Sequence, residues 1–327
     1  MQQERLTVAV WRYDRTQALY DGRVTLKNRE MELIDAPLEE IFSRALGHAE
    51  FHVSELSFSN FLRLTVAGNC AYLGIPVFPS RSFRHGAFYV RKGADISGPE
   101  GLVGKKVGVR EYSMTAALAA RGALRDQFGV RSDQIHWVMG DVDEKERDHI
   151  DLPTLYRAIS IERAPDGALL SDMLVNGKLD AMLAYKPIAP YKAGDARVAR
   201  LFEDPAEVEE RYFVETKVFP VMHLMGVRRD LAESDPGIPM AIYQAFAAAQ
   251  AIADADLHLE QALKIGLPWL GREVKRTIEI MGKNFWPSGF NANRTVLKRM
   301  IDWSFEDGLI PRRVEPEDLF FEQVLQT

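Results

Sequence analysis

Short apolar segments that alternate with helical segments set the strongest limit on the fold of this chain. Apolar runs of this length are typical of buried β-strands, and the segments between them are typical of helices that cover a sheet. The predicted strands span residues 6–10, 51–56, 72–78, 87–91, 105–110, 135–138, 179–184 and 221–227. This alternation predicts an α/β protein.

The helical segments become longer toward the end of the chain. Apolar spacing and cap residues predict helices over 38–46, 60–66, 116–128, 169–176, 239–254, 272–281 and 294–306. The change of pattern near residue 218 separates a middle region with its own alternation from a helix-rich C-terminal region. With 327 residues, of which 46% are hydrophobic, the chain is long enough for two lobes with separate cores.

Charge and composition exclude several classes of partner. The formal net charge is -6, and no block of lysine and arginine stands out, so nucleic acid is not an expected partner. No apolar run approaches the roughly 20 residues that span a bilayer, so no membrane partner is expected. Cys70 is the only cysteine, which excludes an internal disulfide, and its apolar context predicts a buried, inert thiol. Residues 1–5 lead into the first strand without an apolar signal region, which predicts a cytoplasmic protein.

The segment 77–86 concentrates positive charge and a titratable ring beside apolar residues. Arg81 and Arg84 can each grip a carboxylate through a planar fork. His85 can exchange protons near neutral pH. Together they suit a small acidic substrate, whereas the alternative is a turn whose arginines pair with nearby aspartate or glutamate.

Other polar residues follow the ends of predicted strands, where α/β sheets bind ligands. They are Asp14, Arg15, Ser57, Ser59, Glu111, Tyr112, Ser113, Thr115, Lys186 and His223. Ser113 or Thr115 could cap the following helix and leave backbone N–H groups for an anion, or serve as a plain cap. Glu111 could act as an acid or base, and His223 could equally be a hydrogen-bonded core histidine.

Motifs for cofactor chemistry are absent from the sequence. No glycine-rich dinucleotide loop follows a strand, and the Gly101–Lys106 region is too short for a phosphate loop. His85, His223 and Glu111 could share a metal, but they show no metal-ligand spacing. No cofactor and no metal are therefore predicted.

Several segments, in order along most of the chain, resemble the 4,5-dihydroxyphthalate decarboxylase family. They are YDRT at 13–16, DGRV at 21–24, IPVFPSRSFRH at 75–85, GVREYSMTA at 108–116, FPVMH at 219–223, FWPSG at 285–289, NR at 293–294 and GLIPRR at 308–313. The resemblance implies a two-lobed type II periplasmic-binding-protein-like fold, with a mixed sheet flanked by helices in each lobe and a ligand cleft between lobes. Lobe 1 would comprise 1–108 plus 218–327, and lobe 2 would comprise 109–217.

The same resemblance implies cofactor-independent decarboxylation of a hydroxylated aromatic dicarboxylate, 4,5-dihydroxyphthalate, to 3,4-dihydroxybenzoate and CO2. Arg81 and Arg84 would clamp the carboxylate that stays, and His85 and His223 would serve as acid and base in an order left open. Glu111 would tune one histidine, and the remaining strand-end residues would bind substrate. Lys186 stands where the family leads us to expect an arginine.

The alternative function is a non-catalytic receptor for an aromatic carboxylate, which would use the same arginines without a proton donor. The expected partner in both cases is a small aromatic carboxylate. A homo-oligomer and a monomer both remain open.

Overall fold

The structure, a computed structural model, describes residues 5–27, 29–145, 151–259 and 261–327. Residues 1–4, which bear on the predicted lack of a signal region, lie outside the described residues. The chain divides into two compact units. The first contains the chain up to Arg81 with Val221–Lys298 and Val314–Thr327, and the second contains Ser82–Pro220 with Arg299–Arg313.

Strands and helices alternate along the described chain. The strands are β1 (Arg5–Ala9), β2 (Glu30–Ile34), β3 (Val53–Ser57), β4 (Tyr72–Arg81), β5 (Phe88–Arg91), β6 (Lys106–Val109), β7 (His136–Met139), β8 (Ile161–Arg163), β9 (Ala181–Leu183), β10 (Val198–Arg200) and β11 (Val221–Arg228). The helices are α1 (Asp14–Tyr20), α2 (Leu38–His48), α3 (Phe58–Val66), α4 (Thr115–Phe128), α5 (Leu170–Val175), α6 (Ala189–Lys192), α7 (Pro205–Thr216), α8 (Arg229–Ser234), α9 (Ile238–Leu257), α10 (Leu270–Met281) and α11 (Arg294–Glu306).

The first unit is built on a mixed sheet in the order β2-β1-β3-β11-β4. β1 runs parallel to β2 and β3, whereas β11 runs antiparallel to β3 and β4. Alternate side chains of these strands form the core, including Val8, Leu56, Ile75 and Leu224, which have no exposed surface. β11 therefore lies in the middle of a sheet whose neighbouring strands come from the start of the chain.

Two prolines interrupt the pairing of β4 with β11. Met225 pairs with Ile75 and His223 pairs with Ser80, so the residues Pro76 to Pro79 stand opposite Leu224 alone. Proline has no N–H to donate to a ladder, which favours a bulge at such positions. The carbonyl oxygens of this bulged segment are consequently available to other partners.

The second unit contains a sheet in the order β10-β5-β9-β6-β7-β8. β9, β6, β7 and β8 are parallel, and β5 is antiparallel to β9 and β10. Gly108 of β6 permits close packing, since a Cβ there would come within 2.7 Å of Leu179 Cδ1. The core beside it includes Leu170, Leu174 and Met182.

A buried ion pair fixes the later part of the second unit. Arg121 Nε donates to Asp307 Oδ2 over 2.6 Å, and Ser132 Oγ donates to the other carboxylate oxygen over 2.6 Å. The Arg121 guanidinium lies 3.8 Å from the centre of the Tyr112 ring. Because an isolated charge is costly to bury, this paired arrangement requires both partners.

The expected α/β fold with two mixed sheets flanked by helices is confirmed. The two units change at residues 81/82, 220/221, 298/299 and 313/314, whereas the sequence placed lobe boundaries at 108 and 218 and kept 299–313 in lobe 1. The first boundary differs because β5, which precedes residue 108, pairs with β9 and β10. The segment 299–313 joins the second unit through contacts such as that of Asp307 with Arg121. Helix α7, which begins with the Asp204 carboxylate accepting from two backbone N–H groups, was not predicted. Within the described residues, no helix is long and apolar enough to cross a membrane.

Candidate functional site

The first unit holds a histidine and a carboxylate in direct contact. His223 of β11 pairs in register with Ser57 of β3, next to the strand segment that carries Glu55. His223 Nδ1 lies 2.6 Å from Glu55 Oε1. The Glu55 side chain is fully buried, whereas the His223 side chain is 15% exposed. Phe42 of α2 packs edge-on against the imidazole, with ring centres 4.8 Å apart, and limits its orientation.

Glu55 accepts hydrogen bonds from two further groups. The Trp11 backbone N–H donates to Oε2 over 3.0 Å, and the Tyr13 hydroxyl donates to Oε1 over 2.7 Å. Burial, followed by the charge of Glu55, raises the pKa of Tyr13, so this hydroxyl keeps its proton at neutral pH. With donors on both oxygens, Glu55 acts as the acceptor, and His223 Nδ1–H donates to it. Nε2 is then the ring nitrogen left to act on a ligand.

Arg15 lies beside this cluster, between two aromatic rings. Its guanidinium carbon is 4.1 Å from the centre of the Tyr13 ring and 4.4 Å from that of the Trp286 ring. Its Nε donates to the Pro79 carbonyl over 2.6 Å and its Nη1 donates to Asp14 Oδ1 over 2.8 Å. Burial lowers the pKa of Arg15, and Asp14, Tyr13 and Glu55 oppose that shift. Within the described part of the chain, Nη2 of Arg15 donates to no acceptor. The Arg15 side chain is 18% exposed.

The bulged segment of β4 positions this arginine and its aromatic neighbour. The Pro79 carbonyl accepts from Arg15, and the Phe78 carbonyl accepts from Trp286 Nε1 over 3.0 Å. The Pro76 carbonyl accepts from the Gly289 N–H over 2.9 Å. Three carbonyls of this irregular segment, those of Pro76, Phe78 and Pro79, thus bind the 285–289 segment and Arg15.

Arg81 is held by groups of the protein itself. Its Nη2 donates to Asn293 Oδ1 and to the Pro287 carbonyl, the second bond measuring 3.1 Å. Burial lowers the pKa of Arg81 to about 9. Asn293 in turn donates to the carbonyls of Pro287 and Gly289. Arg81 therefore ties β4 to the 287–293 segment in this structure.

The other first-unit candidates occupy different settings. Asp14 is exposed and bound to Arg15, at the start of α1. Ser57 and Ser59 are both buried, the first at the end of β3 and the second in the first turn of α3. Two of the predicted residues in this unit, Arg15 and His223, belong to one network. Tyr13 contacts both Arg15 and Glu55, and Glu55 contacts His223.

His85 lies in the second unit, in an aromatic enclosure. Its side chain is 1% exposed, and its ring centre lies 5.2 Å from that of Tyr212 and 5.7 Å from that of Phe202. Nε2 contacts Gln127 Oε1 at 3.1 Å, and Nδ1 lies 3.9 Å from Glu209 Oε1. Burial lowers the pKa of His85 to about 4, so the ring is neutral at pH 7.

The remaining candidates also belong to the second unit. Helix α4 begins at Thr115 with Met114 as its N-cap, so neither Ser113 nor Thr115, which the sequence offered as caps, occupies the N-cap position. Ser113 Oγ instead donates to Glu111 Oε1 over 2.6 Å. Tyr112 is fully buried and donates to the Asp307 carbonyl over 3.3 Å.

Two basic candidates of this unit differ in burial. Burial lowers the pKa of Arg84, while Glu209 and Tyr185 oppose the shift. Lys186 is exposed, with its Nζ 5.0 Å from the centre of the Tyr185 ring. Among the described residues, no group of three or more His, Cys, Asp or Glu side chains could hold a metal ion. Cys70 is buried, as predicted from its apolar context.

Sequence reasoning missed Glu55, Tyr13 and Trp286. Glu55 carries a usable signal, because an acidic residue within the apolar strand segment 53–57 requires partners when the strand is buried. Tyr13 and Trp286 lie within segments that resemble the family. Neither aromatic residue carries a charge, so the search for charged and titratable residues at strand ends did not select them.

Comparison with solved structures identifies the fold as periplasmic-binding-protein-like. The periplasmic aliphatic sulphonate binding protein SsuA from Escherichia coli aligns with a TM-score of 0.55 at 13% identity, covering 99% of both chains. The desulfurization enzyme DSZB aligns with a TM-score of 0.54 at 13% identity, covering 99% of this chain and 98% of that chain. At such identities the likeness concerns the fold alone.

Sequence relatives identify the family. No protein-family model matches the chain. A Comamonas testosteroni protein named 4,5-dihydroxyphthalate decarboxylase is 35% identical over 327 residues, which are 100% of this chain and 99% of the relative. A Pseudomonas putida protein of the same name is 35% identical over 205 residues, covering 63% of this chain and 80% of the relative. The chain therefore belongs to the 4,5-dihydroxyphthalate decarboxylase family, and the predicted enzyme class, a carboxy-lyase, is confirmed.

Proposed function

We propose that this chain converts 4,5-dihydroxyphthalate, an aromatic dicarboxylate, to 3,4-dihydroxybenzoate and CO2, with His223 as the proton donor. Family membership supports the reaction. The observation that carries the residue assignment is the 2.6 Å contact between His223 and the fully buried Glu55.

The reaction needs a proton delivered to the ring carbon that bears the departing carboxylate. A C–H bond forms at that carbon, and the ring loses its aromaticity and carries positive charge. The hydroxyl para to that carbon donates electron density and stabilises the charge. The C–C bond to the carboxylate then breaks, its electron pair returns to the ring, and CO2 leaves. The enzyme therefore requires a positioned acid and a fixed substrate orientation.

His223 meets the requirement for a positioned acid. In its cationic form Nδ1–H donates to Glu55 and Nε2–H is free to give its proton to the ring carbon. Glu55 stabilises the cationic ring by its charge and holds its tautomer after transfer, so that Nδ1 keeps its hydrogen. The donated proton stays in the C–H bond of the product, and solvent supplies a new proton to Nε2.

Arg15 meets the requirement for orientation. Its guanidinium is fixed by Tyr13, Trp286 and the Pro79 carbonyl. Its Nη2 donates no hydrogen bond to the described residues and can therefore donate to a ligand. An arginine held in this way loses little rotamer entropy when it binds a carboxylate. We assign it to the substrate carboxylate that remains on the product. Arg81 and Arg84 stay candidates for further carboxylate contacts.

The second candidate function is a receptor for an aromatic carboxylate, a role that the fixed guanidinium of Arg15 would also serve. A receptor needs the Arg15 contact but gains nothing from a histidine held by a buried carboxylate. The two functions are separated by turnover.

The test is incubation of the purified protein with 4,5-dihydroxyphthalate after exhaustive chelation, with CO2 and 3,4-dihydroxybenzoate measured together. We expect both products in equal amounts and no loss of rate on chelation. Binding without CO2 release, at any metal content, would identify a receptor. Loss of rate on chelation that one divalent ion restores would overturn the metal-free assignment.

We also propose a cytoplasmic location and a homo-oligomeric state. The single buried cysteine suits a reducing compartment without requiring it. Three exposed apolar side chains near α10, Leu263, Leu267 and Trp269, support an association surface. Fractionation of cells that carry the full gene tests the location, and light scattering of the purified protein tests the assembly.

A further inference from the structure

The second unit contains an open pocket that includes none of His223, Glu55 and Arg15, the residues assigned above to proton transfer and orientation. Its volume is about 360 Å³, within the range of small-molecule sites. We propose that this pocket binds a small aromatic carboxylate through Arg200. The ligand class matches that of the proposed substrate, and the choice of probes rests on the proposed function to that extent.

The walls of the pocket are suited to a flat ring. They combine aromatic side chains with prolines, namely Phe83, Tyr89, Tyr185, Pro187 and Pro205. Gly86 keeps one side open, because a Cβ there would lie 3.3 Å from Pro205 Cβ and 3.4 Å from Arg200 Nη1. A planar ligand could therefore approach the backbone and the arginine together.

Arg200 provides a positive charge that is not part of a direct ion pair, and its nearest acidic neighbour in the lining is Glu209, which feels that charge. In the described chain no carboxylate oxygen lies within ion-pair distance of it, and its buried Nε has no hydrogen-bond partner. Its guanidinium lies 5.4 Å from the centre of the Tyr191 ring and hydrogen-bonds Tyr89. A buried donor without an acceptor is costly, and a ligand carboxylate would supply the missing acceptor.

Both carboxylates that line the pocket are engaged by backbone N–H groups. Asp204 accepts from Ala206 over 3.0 Å and from Glu207 over 3.3 Å as the N-cap of α7. Glu209 accepts from the backbone of Gly86 and His85; burial raises its pKa, and the charges of Arg84 and Arg200 oppose that shift. Arg84 adds a second positive group to the same lining. The pocket therefore presents Arg200, with its aromatic walls, as the principal contact for an anion.

Calorimetric titration with phthalate tests the proposal, and it is run both on the chain as it stands and on Arg15→Met, which separates this pocket from carboxylate binding at Arg15. Phthalate has the two carboxylates but lacks the hydroxyl groups on which turnover depends, so its binding is measured without reaction. We expect Arg200→Gln to weaken phthalate binding at least tenfold. The matched control is Arg197→Gln, which removes an exposed arginine of the same region that pairs with Asp195 over 2.7 Å; its affinity should stay within twofold of the wild type.

Unchanged affinity in a normally folded Arg200→Gln variant would overturn the proposal. If that variant melts early, Gly86→Ala gives an independent reading, because it narrows the pocket and keeps every charge; wild-type affinity there would overturn the proposal as well. Titration with benzoate shows which ligand the pocket takes. If Arg200→Gln weakens the binding of phthalate alone, the ligand is the dicarboxylate substrate. If it weakens the binding of benzoate equally, the ligand is the monocarboxylate product. Turnover of 4,5-dihydroxyphthalate by the wild type is scored separately, so failure of catalysis and failure of this site are distinguishable.

Discussion

His223 and His85, one in each unit, have opposite surroundings although both follow apolar segments that resemble the family. His223 is partly exposed and contacts a carboxylate at 2.6 Å. His85 is 1% exposed, lies between Tyr212 and Phe202, and contacts the neutral amide of Gln127. The His223 ring contacts a carboxylate directly, whereas burial lowers the pKa of His85 to about 4 and its nearest carboxylate, Glu209, lies 3.9 Å away. Partner and burial, rather than residue type, therefore decide which histidine can carry a proton to a substrate.

The sharpest test of this difference is His223→Asn. We expect turnover of 4,5-dihydroxyphthalate to fall by roughly 10²–10⁴-fold, because the partly exposed imidazole that contacts Glu55 is lost. Steady-state kinetics and a thermal melt are measured on the same preparation. Wild-type turnover in a normally melting variant would remove His223 from the mechanism.

Glu55→Gln examines the partner of that histidine. The amide keeps the shape of the side chain but loses the charge and presents N–H groups to the donors of Tyr13, Trp11 and His223. We expect kcat to fall by roughly 10–100-fold, with a changed pH profile of kcat and a nearly constant KM. The exposed Glu50→Gln in the same unit is the matched control, and an unchanged pH profile in Glu55→Gln would contradict a positioning role.

Arg15→Met separates orientation from proton transfer. Removing the guanidinium should raise KM about tenfold, which corresponds to about 1.4 kcal/mol, while kcat changes less. The aromatic neighbours Tyr13 and Trp286 remain to fill the space. A fall in kcat at constant KM would instead assign Arg15 to the chemical step.

His85→Gln should have the smallest effect on activity, with turnover at pH 7 within about threefold of the wild type. Its effect lies in stability. Burial lowers the pKa of His85 to about 4 from 6.5, so between these pH values the unfolded chain binds more protons than the folded chain. The free energy of unfolding therefore falls by roughly 3 kcal/mol as the pH drops through this window.

Glutamine in place of His85 should remove that loss, as measured by denaturant unfolding at pH 7, 5.5 and 4. Glu209, 3.9 Å away, has a raised pKa and contributes in the opposite direction in both proteins. The difference between the two unfolding curves therefore isolates the histidine. A large fall in turnover at pH 7 would reverse the comparison and assign catalysis to the second unit.

Local sequence patterns were sufficient to predict most of the helices and strands. Helix α11 has the bounds predicted from its spacing, and the strand at 221–227 differs from β11 by one residue. These elements carry strong periodicity, caps or apolar runs, which act over a few residues. Helix α7 was missed because its apolar face is interrupted by a run of glutamates, although Asp204 and Pro205 form a recognisable start.

The site was less predictable because its contacts are far apart in sequence. Glu55 meets His223 only because β11 inserts beside β3, and no local pattern encodes that pairing. Similarly, the residues that enclose His85 come from α7 and from Phe202, so its local sequence did not show that the ring is sealed from water. Arg15 was predicted from its place after the first strand, but its fixation by Trp286 depends on the C-terminal region.

The proline-interrupted segment of β4 also bears on how this family can diversify. Pro76 and Pro79 set a main-chain shape, and that shape presents carbonyl oxygens to Arg15, Trp286 and Gly289. Substitution of neighbouring side chains would therefore leave these carbonyl acceptors in place. A replacement at either proline adds an N–H that can compete for the strand ladder, so such a change would disturb the acceptors of Arg15, Trp286 and Gly289 without changing any of those three residues.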